Sequence, residues 1–186
     1  IYDMQLCEHG KAIHARRQEF AERLQPVTAA YYSILSGDRE QVELHYKSEL
    51  NDRPFEEILL DARQKDIVNE FTTAGIHRDD LVLRIDGYPL RKYGSQGQQK
   101  SFLVALKLAQ YRIVGADKGE KPILLLDDLF DKLDMGRVEQ LIKLVSGEEF
   151  GQIVITDCNK VRLETILGRQ GGDYRLYVVA NGEIAK

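Results

Sequence analysis

Pro122-Ile123-Leu124-Leu125-Leu126-Asp127-Asp128 decides the fold. Four apolar residues without polar alternation suit a central parallel strand covered on both faces. Two acids then stand at its C-terminal end, where open α/β sheets place their ligands. Downstream, Val138, Leu141, Ile142 and Val145 repeat at helical spacing within residues 135–146. Ile153-Val154-Ile155 reads as a second buried strand, residues 159–168 as a helix, and 174–185 as a hairpin turning at Asn181-Gly182. Upstream, residues 98–114 form an apolar-rich helix with Phe102, Leu103, Leu106, Ala109, Tyr111 and Ile113 as core candidates. Before it, Leu81, Leu83 and Ile85 alternate toward an Asp86-Gly87 turn, with Tyr88 and Leu90 on the returning strand. Strands alternating with helices make residues 76–186 an α/β region.

Residues 1–75 have a different texture. Ile13, Phe20, Leu24, Val27, Tyr31 and Leu35 make one stripe of a long helix over 4–35, with a kink expected at Pro26. Ser36-Gly37-Asp38 ends it. Val42, Leu44 and Tyr46 alternate with polar residues as a half-buried strand, and residues 54–74 return to helical spacing. Helix, strand and helix with polar outer faces describe an arm or second lobe.

The chain has 186 residues, 26 Lys plus Arg against 30 Asp plus Glu, and 43% hydrophobic residues, enough for a packed core. The apolar runs are too short to span a bilayer. The opening Ile1-Tyr2-Asp3 carries no charged leader before an apolar stretch, so no secretory signal is expected. Cys7 and Cys158 make neither a disulfide framework nor a CxxC site, and a reducing cytoplasm is the expected location. The chain begins without Met, and a piece of something longer is the expectation. Charge is uneven: residues 1–75 carry nine basic and fourteen acidic side chains, residues 84–121 eight and three. Arg84, Arg91, Lys92, Lys100, Lys107, Arg112, Lys118 and Lys121 form either a face for a polyanion or a solvated surface.

Three stretches carry chemistry. Gly94-Ser95-Gln96-Gly97-Gln98-Gln99-Lys100 runs into the helix at 98–114. Backbone N–H groups at such a start meet anions, and the Ser95 hydroxyl can join them; taken alone, the stretch reads as a plain Ser95 cap. Asp127 is placed to hold a hard cation and Asp128 to orient or deprotonate water. Asp131-Lys132-Leu133-Asp134 follows directly, and Gln152 to Asp157 repeats the pattern of a strand running into a polar pair.

Taken in order, these stretches resemble the C-terminal part of an ABC-type ATPase head, a P-loop NTPase-like sheet with helices. Ser95-Gln96-Gly97-Gln98 resembles the signature motif, Ile123 to Asp127 the Walker B strand, Asp128 the carboxylate after it, and Asp131 to Asp134 the D-loop. His77-Arg78-Asp79-Asp80-Leu81, Tyr93 to Lys100 running into Ala105-Leu106-Lys107-Leu108-Ala109, and Leu125 to Asp128 narrow the resemblance to the RecF family. This is a bacterial family of recombination and gap-repair ATPases related to SMC heads. The likeness covers residue 5 to the C-terminus, the long helix and strand matching a helical second lobe.

The resemblance implies ATP and Mg²⁺ as cofactors, used only together with an N-terminal half that holds the phosphate-binding loop. Ser95, Gln96, Gly97 and Gln98 would contact, in trans, the γ-phosphate held by a partner copy. Asp127 would position the metal, Asp128 would act on water, and Asp134 would sit at the dimer interface. An ATP-dependent homodimer would clamp DNA at gaps or single-strand/double-strand junctions, alongside other recombination mediator proteins and away from membranes. Arg91, Lys92, Lys100 and Lys107 are candidate DNA contacts. Two departures stand out: Thr156-Asp157 occupies the place of the transporter histidine, and Asp128 the place of a common Glu. No GxxxxGK[ST] stretch occurs in the 186 residues, so the chain alone is expected to be inactive. Two other classes remain: a non-catalytic DNA- or protein-binding scaffold, and a metal-dependent nuclease or primase-type site built on Asp127, Asp128, Asp131 and Asp134.

Overall fold

The structure is a computed structural model that describes residues 2–127, 133–158, 160–170, 174–180 and 182–185. The chain divides into two compact units, residues 1–120 and 121–186.

The first unit is organised by α1 (Tyr2–Ser36), which runs unbroken through the exposed Pro26. After it come β1 (Val42–Lys47), α2 (Phe55–Asn69), β2 (Asp80–Ile85), β3 (Tyr88–Pro89), the short α3 (Leu90–Tyr93) and α4 (Gln96–Lys118). β1, β2 and β3 form one antiparallel sheet in that order, with Val42 opposite Ile85 and Lys47 opposite Asp80. Asp86 and Gly87 both take positive φ (48° and 80°), the two-residue turn that matches strand twist. Pro89 then ends the returning strand at two residues, and Leu90 opens a helix instead of extending it. Because β1 pairs along its whole length with β2, the boundary expected at residues 75/76 falls inside this unit.

α4 lies antiparallel to α1: Tyr32 meets the Phe102 ring at 5.8 Å, while Arg23 pairs with Asp117 at 2.5 Å toward the other end of α4. Leu24, Tyr31, Tyr32 and Leu35 on α1 are buried, as are Phe102, Ala105, Leu108 and Ala109 on α4. Leu103, a core candidate by its apolarity, points to solvent. The apolar stripe of α1 is covered only in part, and Ile13 and Phe20 stay exposed. Length explains this, since at 1.5 Å per residue α4 reaches only about two-thirds as far as α1. The N-terminal third of α1 packs instead with α2, where Cys7, Phe55, Ile58, Leu59 and Ala74 form a small core. Phe55 lies where a side chain on Gly10 or Gly75 would sit, and Gly75 has φ 122°. α2 stops at Asn69, short of the expected 74, because Glu70 turns left-handed and Asp66 caps the loop by accepting from the Thr73 N–H at 2.8 Å. The Thr73 hydroxyl and N–H hold the Asp66 carboxyl below the usual carboxylate range.

The second unit contains β4 (Leu124–Leu126), α5 (Met135–Val145), β5 (Ile153–Ile155), α6 (Lys160–Gln170), β6 (Val178–Ala180) and β7 (Glu183–Ala185). β4 and β5 pair in parallel, Leu125 opposite Val154. β6 and β7 form a hairpin whose turn residue Asn181 lies outside the described residues. Val138, Leu141, Ile142, Val145 and Ile166 are buried. The expected two-sided cover of the central strand does not appear: Leu124 and Leu126 are buried, but Leu125 is 70% and Ile123 61% exposed. Val154, beside Leu125, is exposed as well. Among the described residues one face of this sheet carries an exposed apolar row, Ile123, Leu125 and Val154. No helix among the described residues is long and apolar enough to cross a membrane.

Candidate nucleotide and cation sites

The two groups of candidate residues fall in different units, and each has its own geometry. Ser95 is the N-cap of α4, with extended backbone (φ −62°, ψ 163°). Its hydroxyl oxygen accepts from the Gln98 N–H at 3.2 Å, and the Gln98 side-chain oxygen accepts from the Ser95 N–H at 2.7 Å. This reciprocal box satisfies two donors at the helix start. The N–H groups of Gln96 and Gly97, the first two helical residues, have no acceptor inside the helix. They point the positive end of a 23-residue helix outward. Capping and anion binding are compatible here. As a cap the Ser95 hydroxyl uses a lone pair, which leaves its proton to be donated outward.

The loop is held from below by a residue that sequence patterns did not single out. Glu40, between α1 and β1, accepts from Gln98 Nε2 at 3.0 Å and from the Tyr32 hydroxyl at 2.5 Å. Gln99 Nε2 donates to the Gly94 carbonyl at 2.7 Å, and the Ser101 hydroxyl to the Gly97 carbonyl at 2.7 Å. Glu40 sits outside any motif and 58 residues from Gln98, so only the packing of α1 on α4 brings it there.

In the second unit Asp127 follows β4 with an exposed carboxylate, which accepts from the Thr156 hydroxyl. Thr156 also donates its N–H to the Leu126 carbonyl at 3.0 Å, continuing the parallel ladder. Thr156 therefore orients the acid at the end of the neighbouring strand. An exposed carboxylate oxygen suits a hard cation, and Mg²⁺ is commonly held by one or two carboxylates together with substrate phosphates. Asp128 and Asp131 lie outside the described residues. Among the described residues no group of three His, Cys, Asp or Glu could hold a metal by itself.

Asp134 is the N-cap of α5, accepting from the Arg137 N–H at 3.0 Å and pairing with the Arg137 guanidinium at 3.2 Å. The His77-Arg78-Asp79-Asp80 stretch is a strand entry in which Asp79, its side chain 3% exposed, accepts from Tyr46 (2.5 Å) and pairs with Arg17 (3.1 Å). Burial and the neighbouring Asp79 carboxylate push the Tyr46 hydroxyl up. Arg78 bonds the Thr73 carbonyl. Of the candidate DNA contacts, Arg91, Lys92 and Lys107 are exposed and Lys100 is half-buried. Lys92 Nζ stands 5.2 Å from the centre of the Tyr93 ring.

No family model matches the chain. Proteins named DNA replication and repair protein RecF match 99% of it: 42% identical over 184 residues in Bacteroides thetaiotaomicron, and 44% over 184 in Parabacteroides distasonis. The Porphyromonas gingivalis protein of that name is 44% identical over 185 residues. The chain spans about half the length of these curated relatives, 50%, 50% and 51% respectively. Among solved structures, the recombination mediator protein RecF with ATPrS superposes with a TM-score of 0.74 at 26% identity, covering 98% of this chain and 48% of that one. RecF with ATP gives 0.70 at 29% identity, covering 86% and 44%.

Proposed function

We infer that this chain, a RecF homologue over nearly its whole length, supplies the C-terminal half of an ABC-type ATPase that acts on DNA in recombinational repair and replication-gap processing. The observation that carries the reading is the match of 99% of the chain to half of each RecF relative. The capped start of α4 and the acid at the end of β4 supply parts that such an ATPase needs.

In this reading the α4 start serves a partner copy. The Gln96 and Gly97 N–H groups and the outward Ser95 proton bind the γ-phosphate held by that copy, with Gln98 fixed by Glu40 to keep the loop in register. Asp127, oriented by Thr156, would hold the cation, and Asp128 would orient the attacking water. Bound Mg²⁺ would neutralise phosphate charge; positioning and electrostatics supply most of the remaining catalysis. Asp134, the N-cap of α5, lies at the dimer interface. ATP then stabilises a dimer that holds DNA, with Arg91, Lys92, Lys100 and Lys107 on phosphates. Preferred sites are gaps or single-strand/double-strand junctions, and the partners are other recombination mediators in the cytoplasm. The chain by itself carries no phosphate-binding loop, so alone it is a DNA- or protein-binding scaffold without ATPase activity.

Light scattering of the full-length protein tests this. Ser95→Arg should abolish ATP-dependent dimers while monomer ATP affinity stays within about twofold, because the long cation fills the phosphate's place. ATP-dependent dimers that persist in Ser95→Arg would remove Ser95 from the trans contact.

A further inference from the structure

Tyr88 and Tyr93 stand 61% and 57% exposed on the knuckle formed by β3 and α3. Their ring centroids are 5.5 Å apart with the planes tilted at 56°, a contact in which each ring steadies the other. Lys92 leans over the Tyr93 ring, and Arg91 is exposed beside it. The knuckle is rigid from beneath: Leu90 is buried, and the Gly94 N–H donates to the Leu90 carbonyl at 2.8 Å. Asp86 is the only acid between Arg84 and Lys100, and its carboxylate is turned onto the Gln41 N–H at 2.9 Å. The result is a pre-ordered pair of exposed aromatic rings flanked by cations, with the hairpin-turn acid Asp86 already engaged.

Neither tyrosine belongs to the core, so folding does not explain two large rings in water at adjacent positions. Cations alone would suffice for the phosphates of a duplex, whose bases are stacked and out of reach. Exposed rings engage bases that are already unstacked, and rings beside cations are how sequence-tolerant single-strand binders are built. We propose that the Tyr88–Tyr93 knuckle is a stacking platform for unpaired bases of single-stranded DNA, with Lys92 and Arg91 on the flanking phosphates. The proposal rests on the DNA-binding reading above and assigns the single-stranded part of a gap or junction to one place on the chain.

Fluorescence anisotropy of the full-length protein with a labelled oligothymidylate, read without ATP, decides it. Tyr93→Leu and Tyr88→Leu should each weaken binding roughly tenfold, in line with the loss of one base stack. Tyr93→Phe should stay within about twofold, because the ring remains. A duplex of equal length should bind all three variants like the parent. Lys92→Gln should reduce the slope of log affinity against log salt by about 0.7, one phosphate contact. Parental affinity in the double leucine variant, equal losses on duplex and single strand, or an unchanged salt slope in Lys92→Gln would each overturn the proposal. So would a loss confined to ATP affinity, which would assign the rings to a nucleotide. ATP-dependent dimerisation is followed in parallel: its absence in the parent protein removes the clamp reading, while the oligonucleotide comparison still decides the tyrosines.

Discussion

α4 and β4 each present candidate functional residues at one end, yet this chain treats them differently. The buried face of α4 is closed by α1 through Tyr31, Tyr32 and Leu35 against Phe102, Ala105 and Leu108. β4 is closed on one face and open on the other, where Ile123, Leu125 and Val154 meet solvent. An apolar row of three on a two-stranded sheet is unusual for a surface a protein means to leave in water. The loop at the start of α4 is packed and hydrogen-bonded within its own unit, whereas one face of the sheet under Asp127 stays exposed. That accords with a chain spanning about half of its relatives.

The comparison can be broken most directly at β4. Leu126→Ala should cost about 2–4 kcal/mol in urea denaturation of the chain, a large-to-small change at a buried site. Leu125→Ala, one residue away, should stay within about 0.5 kcal/mol. Equal losses would mean that the second face is covered after all. A smaller effect is expected at Glu40. Glu40→Ala takes the acceptor from Tyr32 and Gln98 and should cost about 1–2 kcal/mol of stability. ATP-dependent dimerisation of the full-length protein should fall further than that stability loss explains, with monomer ATP affinity retained. Glu40→Gln, which keeps an acceptor, should recover most of the dimer; a loss of stability with dimerisation unchanged would reduce Glu40 to a packing residue.

The smallest effect is a rate. Burial, aided by the Glu56 carboxylate, pushes the Cys7 thiol above its ordinary range, while Cys158 is exposed. A thiol reagent at mildly alkaline pH should label Cys158 first and Cys7 slowly, since less of Cys7 is thiolate and less of it is reachable. Raising the pH should narrow the gap. Equal rates at neutral pH would show that the small core around Phe55 opens readily.

Much of the local structure was legible. Alternation placed β1 and β2, Asp86-Gly87 placed the hairpin turn, and the 135–146 stripe placed α5, because each depends on neighbours a few residues apart. The end of α2, the exposed Leu103 and the open row beside Leu125 were not legible, since each depends on which element arrives from elsewhere in the chain. Residues 94–100, taken alone, read as a plain cap, and the structure makes Ser95 that cap, with a hydroxyl proton left to donate. Residue types and spacing by themselves determined that a small-residue loop opens a long helix and that an acid ends an apolar strand. Only the tertiary structure decided that Glu40 anchors the first and Thr156 orients the second, because a hydrogen bond across 58 or 29 residues exists only once the intervening chain has folded.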